Sequence, residues 1–160
     1  ATIAEAKRLR SLPRSEPMYK TLMRDMETLR SDSAASGRQI GVVGFSMGGH
    51  WAVWLSQRPD MPIASTVLYY AARAGSFSDS NSAFLAHYAG QDEWVSKAVK
   101  QRMESAIRKA GRPLQTFTYS GTGHWFAESS RPGEYDADAA HLALERTVQH
   151  LRATLSASLD

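Results

Sequence analysis

Apolar residues first recur along this chain at helical spacing and then gather into short unbroken runs. Ile3, Ala6 and Leu9 follow one another at near-helical intervals after Thr2 and Glu5, which have the form of a capping box, and Pro13 closes the segment. A second helix is predicted from about Ser15, with Tyr19, Leu22, Met26 and Leu29 on one stripe, ending in the Ser/Gly-rich stretch before Arg38. Residues 39–45 then form a continuous apolar run with two valines and an isoleucine, the pattern of a strand buried on both faces. Residues 47–57 read as a helix stopped by Pro59, residues 63–70 as a second buried strand, and residues 83–89 and 114–119 as a third and a fourth. Between the last two, Val95, Ala98, Val99, Met103, Ala106, Ile107 and Ala110 share a helical face that Gly111 terminates. Leu144, Val148, Leu151 and Leu155 align along a final helix. Helices alternating with apolar strands predict an α/β fold, with a mostly parallel sheet covered on both sides. No repeat, low-complexity tract or long linker divides residues 1–160, so a single domain is expected.

Composition narrows the function classes. A chain of 160 residues can bury roughly two thirds of its unfolded surface, enough for a core. The net charge of +3 is scattered, and its tightest basic cluster, residues 7–10, is one helical turn without interleaved aromatics. That is a solvated face rather than a nucleic-acid patch. The absence of cysteine excludes disulfides, thiolate metal sites and a cysteine nucleophile. No apolar stretch approaches the ~20 residues that span a bilayer. No signal peptide opens the chain, and a cytoplasmic protein is expected, although Ala1 in place of Met points to a processed or trimmed N-terminus.

The chemistry concentrates where the first apolar run breaks. Gly44-Phe45-Ser46-Met47-Gly48 has the form GxSxG and lies between a predicted strand and a predicted helix, the setting of a nucleophile elbow. A sharp turn there lifts the serine oxygen clear of the sheet, the flanking glycines avoid clashes, and the Met47 amide becomes a candidate oxyanion donor. The competing reading is a glycine-rich turn that only packs a helix against a strand. Serine is a weak nucleophile at neutral pH and needs a base and a group to orient that base. Both follow in the order expected of this fold, each just after a strand: Asp92 in "AGQDEWV" and His124 in "YSGTGHWF". Glu93 and Asp79 are rival acids. His141 and His150 read as surface residues of the last helix, and His87 and His50 as packing or local hydrogen-bonding groups. No histidine pair has metal spacing beside a carboxylate, so no metal is expected. Tyr70, Trp125 and Phe126 lie just past strand ends and are candidates to line an apolar acyl pocket, with packing as their alternative role.

The stretches "GVVGFSMGG", "LAHYAGQDEWV" and "YSGTGHWFAESSRPGEYDADAAHLALERTVQHL" together resemble the dienelactone hydrolase family of α/β-hydrolases, over a match running from about Ile3 to the C-terminal helix. The resemblance implies Ser46 as nucleophile, Asp92 as orienting acid and His124 as base, in a cofactor-free hydrolysis of a small-molecule ester or lactone through an acyl-enzyme. Three departures qualify it. Many members carry cysteine where this chain has Ser46, which favours a broader carboxylesterase. Lactone-specific members hold the substrate carboxylate with an arginine shortly after the histidine, and Glu128 four residues on counts against an anionic lactone. Members also place roughly their first third, with the loop giving a second oxyanion amide, before the region matched here. The expectation is a hydrolase domain whose N-terminal strands are absent from this chain, so that residues 39–45 form an apolar edge. An N-terminal companion fragment or a homodimer would cover such an edge, and a thioesterase, a peptidase or a non-catalytic binding surface are the alternative functions.

Overall fold

A computed structural model of the chain describes residues 17–32 and 38–156, together with Ala4 and Arg8, which are helical. The predicted capping box, Ile3, Ala6 and Leu9, the start near Ser15 and most of the Ser/Gly-rich stretch lie outside the described residues. Two compact units are present, Ala1–Gln39 and Ile40–Asp160. In the first, helix α1 (Pro17–Ser31) buries Tyr19 and Met26 of the predicted stripe, whereas Leu22 is half-buried and Leu29 exposed.

The second unit is built on β1 (Ile40–Phe45), β2 (Ile63–Tyr69), β3 (Ala83–Ala89) and β4 (Leu114–Tyr119), hydrogen-bonded in that spatial order and parallel throughout. Helix α2 (Met47–Ser56) links β1 to β2, and α3 (Lys97–Lys109), capped by the Ser96 hydroxyl on the Val99 amide, links β3 to β4. Strand order that advances steadily, with right-handed crossovers, places every connection on one face of the sheet. That face holds Ala52 and Val53 of α2, Met103 and Ile107 of α3, and the inward residues Leu68, Phe84, Ala86 and Tyr88. The β2–β3 connection contains no helix. Buried Phe77 anchors it instead, edge-on to Phe84 at 5.3 Å between ring centroids.

The opposite face is left to helix α4 (Ala137–Ser156), which packs over Val67, Tyr69, Leu85, Ala89 and Tyr119. Val67 and Leu85 are fully buried, and each such side chain stabilises the fold by about 2 kcal/mol. Two corrections belong to this face. The buried stripe of α4 is Ala143, Thr147 and His150, while Leu144 and Val148 of the predicted stripe are exposed. The helix is turned so that small and polar residues meet a polar cluster on the sheet, and His150 is therefore buried rather than a surface residue. Strand β1 is also not buried on both faces, since Val43 and Phe45 are 42% and 46% exposed. Both point to the α4 side, where Leu151 and Leu155 reach the strand over Gly41. Among the described residues β1 pairs with β2 alone and is an edge of the sheet.

Candidate active site

The β1–α2 turn is tight because two backbones touch there. A Cβ on Gly44 would stand 2.6 Å from the Gly49 Cα and 2.7 Å from the Gly48 carbonyl oxygen, and one on Gly49 would collide with the Ala71 Cβ. Gly48 faces open space, so the steric demand falls on Gly44 and Gly49 rather than on both glycines of the motif. Ser46, between them, takes φ 49° and ψ −117°, a conformation that costs a non-glycine residue on the order of 1–3 kcal/mol. Its amide donates to the Tyr69 carbonyl at 3.0 Å, carrying the sheet ladder one residue past the strand. Serine at a helix N-cap ordinarily spends its hydroxyl on a helix amide. Here the side chain makes no cap bond.

The hydroxyl instead lies 2.8 Å from Nε2 of His124. Adjacent strands are ~4.8 Å apart, so the loop after β4 must travel back about 14 Å across three strand spacings to bring His124 over β1. Hydrogen bonds between loops hold this path: Gly90 N–H to the Tyr119 carbonyl and Gln91 N–H to the Thr122 carbonyl, both 2.9 Å. Aromatic rings frame the imidazole, with Tyr70 at 5.0 Å, Trp125 at 4.9 Å and Trp94 at 6.1 Å between centroids.

On its other side His124 Nδ1 is 2.9 Å from Oδ1 of Asp92, whose side chain is fully buried. The same oxygen accepts from the amides of Trp94 and Val95, each at 2.9 Å. Burial pushes the Asp92 carboxyl up, but the hydrogen bond and charge of His124 and the two amides outweigh it and hold its pKa below the usual value. An ionised carboxylate only accepts, which puts the ring proton on Nδ1 and leaves the Nε2 lone pair to receive the serine proton. Neither Glu93 nor Asp79 makes this bond, and both are exposed. The arrangement can therefore polarise the Ser46 hydroxyl and take its proton.

Met47 is the first residue of α2, where a backbone N–H has no intrahelical acceptor. A cleft of about 410 Å³ reaches His124 between Gln91, Glu93, Gly123, Trp125 and Glu134. Of the three expected pocket residues, only Trp125 borders it. Tyr70 and Phe126 are fully buried, packed edge-on at 5.5 Å, and serve as the backing of the site instead. Tyr70 donates to Glu128 Oε1 at 3.3 Å, and its φ of 39° makes it, with Ser46, one of two non-glycine residues with positive φ among those described. No sequence pattern pointed to Trp94 or Thr122, whose parts depend on loops that meet only in the fold. Among the described residues no group of His, Asp or Glu is arranged to hold a metal ion, and no helix is long and apolar enough to cross a membrane.

The sequence profile of the dienelactone hydrolase family matches residues 2–155. The chain belongs to that family. Two curated relatives, from Methylorubrum extorquens and Escherichia coli, each bear the name "Putative carboxymethylenebutenolidase". They are 26% identical over 82% of this chain and 24% identical over 74% of it. The chain spans about half the length of these relatives, 50% and 49%. Among solved structures, a dienelactone hydrolase-like promiscuous phosphotriesterase from metagenomic libraries superposes with a TM-score of 0.73 at 15% identity, over 81% of this chain and 58% of that one. A carboxylesterase from Lactobacillus plantarum does so with a TM-score of 0.65 at 14% identity, over 84% and 66%. At such identities the structural likeness establishes the α/β-hydrolase fold. Membership of the dienelactone hydrolase family makes the chain a member of a hydrolase family.

Proposed function

We propose that the chain carries the catalytic residues of a serine carboxylic ester hydrolase, with Ser46 as nucleophile, His124 as general base and Asp92 as the acid that orients it. The observation that carries this reading is the unbroken relay from Ser46 Oγ through His124 to Asp92, at 2.8 and 2.9 Å. In the forward step His124 takes the Ser46 proton as Oγ attacks the ester carbonyl. The tetrahedral oxyanion is met by the Met47 amide, and His124 returns the proton to the departing alcohol. Water, deprotonated by the same imidazole, then releases the acid from Ser46. Each group ends as it began, so the cycle needs no cofactor. Trp125, at the cleft, contacts the substrate.

Serine at the nucleophile position and Glu128 beyond the histidine favour small neutral carboxylic esters over anionic lactones. Removing one oxyanion donor costs such enzymes about 100-fold or more in rate. A second donor, from a companion polypeptide pairing along β1, belongs to the full activity we propose, and the edge position of β1 among the described residues supports that pairing. We place the protein in the cytoplasm. Intact-mass measurement with a fluorophosphonate probe tests the reading. A single adduct mapping to Ser46, absent from Ser46→Ala, is the expected result. An unreacted wild-type chain would leave the non-catalytic binding surface as the function.

A further inference from the structure

Trp125, Glu128, Arg131 and Glu134 stand at every third position of the loop after His124. The backbone keeps that step, because the amides of Glu128, Arg131 and Glu134 each donate, at 2.9 Å, to the carbonyl three residues before. Pro132 and Gly133 suit the last of these turns, proline by its fixed φ and glycine by its freedom. Turns of this step set side chains three apart on the same side. The loop is closed at its base, where the Asp136 amide donates to the carbonyl of fully buried Phe126 at 2.9 Å.

The four side chains accordingly meet around Arg131. Its guanidinium carbon lies 4.2 Å from the centroid of the Trp125 ring. Its Nε is 3.5 Å from Glu128 Oε2, and its Nη1 is 3.5 Å from Glu134 Oε1. Glu128 in turn accepts from the Tyr70 hydroxyl, whose ring stands 5.0 Å from that of His124. One planar cation thus touches a ring and two carboxylates, and two of these partners, Trp125 and Glu134, border the cleft that reaches His124. Ion pairs as exposed as these add little to stability. Their effect is on orientation, because a guanidinium stacks on an aromatic face while its N–H groups point outward in fixed directions.

Resting on the ester-hydrolase reading above, we propose that Arg131 is a positioning residue that holds the Trp125 ring and the Glu134 side chain as the wall of the alcohol subsite, and so favours esters of flat aromatic alcohols. His124 returns its proton to the departing alcohol, so the leaving oxygen lies within hydrogen-bond reach of Nε2 and the rest of the alcohol enters the cleft beside the imidazole. A ring already held in place offers stacking area without the entropy cost of ordering it on binding. Arg131 therefore acts on substrate affinity and leaves the proton transfers to His124.

The test compares naphthyl acetate with ethyl acetate, which share an acyl group and differ in the alcohol. Wild type, Arg131→Lys and Arg131→Met are measured beside Arg152→Met, which removes an exposed guanidinium from α4 as a control. Acetate release gives kcat and KM, and thermal melts check folding. Nitrogen-15 relaxation of the Trp125 indole N–H, assigned with Trp125→Phe, reports ring motion without turnover. In Arg131→Met the kcat/KM ratio of naphthyl over ethyl acetate should fall about two- to fivefold, through a higher KM for the naphthyl ester, and the indole should become more mobile. Arg131→Lys should recover part of both changes, and Arg152→Met should keep the wild-type values. An unchanged ratio in Arg131→Met, an equal loss for both esters, or an indole as rigid as in the wild type would overturn the proposal. Should the methionine variant not fold, Arg131→Gln replaces it. A wild-type chain that hydrolyses neither ester would defeat the ester-hydrolase reading instead, and the indole relaxation would still decide whether Arg131 holds Trp125.

Discussion

His124 and His87 are both nearly or wholly buried, at 5% and 0% exposure, and both have a side-chain partner at each ring nitrogen. They differ in what those partners are. His124 sits between a carboxylate and a serine hydroxyl at the open ends of the strands. His87, inside β3, sits between the hydroxyls of Tyr119 at 2.9 Å and Thr147 at 3.0 Å. Tyr69 meets the same Thr147 hydroxyl at 2.8 Å, and Arg146 donates to the Tyr119 oxygen at 3.2 Å, leaving the phenol proton for His87 Nδ1. Burial, with the charges of Arg146 and His150 added, holds the His87 pKa down at about 3. One imidazole bridges a carboxylate and a serine hydroxyl. The other is kept neutral by a dry, hydroxyl-lined site and ties α4 to the sheet. Burial and hydrogen bonding do not by themselves make a histidine a base; an ionised partner does.

The largest effect that sharpens this contrast is on turnover. Ser46→Ala or His124→Ala should reduce hydrolysis of a p-nitrophenyl ester to background, a loss on the order of 10⁶ where the full machinery operates, and Asp92→Asn should lose about 10⁴. His87→Ala should instead act on stability. It strips Tyr119 and Thr147 of a partner and opens a cavity, a cost of about 3 kcal/mol in urea unfolding, with the labelling rate of the folded fraction unchanged. A slowed labelling rate in that folded fraction would join the two sites and break the comparison.

Acid should act on the two centres in different windows. The folded pKa of His87 lies below its ordinary 6.5, so the unfolded chain binds the extra proton first and stability falls as pH drops. The contribution is complete above about pH 6.5 and gone once the pH passes the folded value of about 3. At pH 5 the loss is about 2 kcal/mol, and His87→Gln should flatten the urea midpoint between pH 7 and 5. Asp92 is depressed below its ordinary 3.8, so its contribution is full above that value and is lost only at lower pH. The smallest effect is expected from Tyr119→Phe, about 1 kcal/mol of stability from one hydroxyl, with no change in the pH dependence of turnover.

Much of the site was legible because its chemistry is written in local pattern. GxSxG at a strand-to-helix junction implies a sharp turn wherever it occurs, and Asp92 and His124 each follow an apolar run by a few residues, which places them at strand ends. Helix faces were less legible. Leu144 and Val148 carry the larger side chains, yet α4 turns Ala143, Thr147 and His150 inward, because the sheet beneath presents His87, Tyr69 and Tyr119 rather than a flat apolar surface. The burial of Tyr70 and Phe126 likewise follows from a loop that crosses three strands, a path no local pattern encodes.

By itself the sequence determined the order of elements, the parallel sheet and the candidates for the reactive residues, since hydrophobic period and glycine placement act over a few residues at a time. Tertiary structure decided which acid meets His124, which glycines carry the close contact and which histidine stays neutral. It also decided that Asp92 has one oxygen saturated and the other bare. These outcomes depend on distances between segments far apart in the chain, and such distances exist only once the sheet has brought the strand ends together.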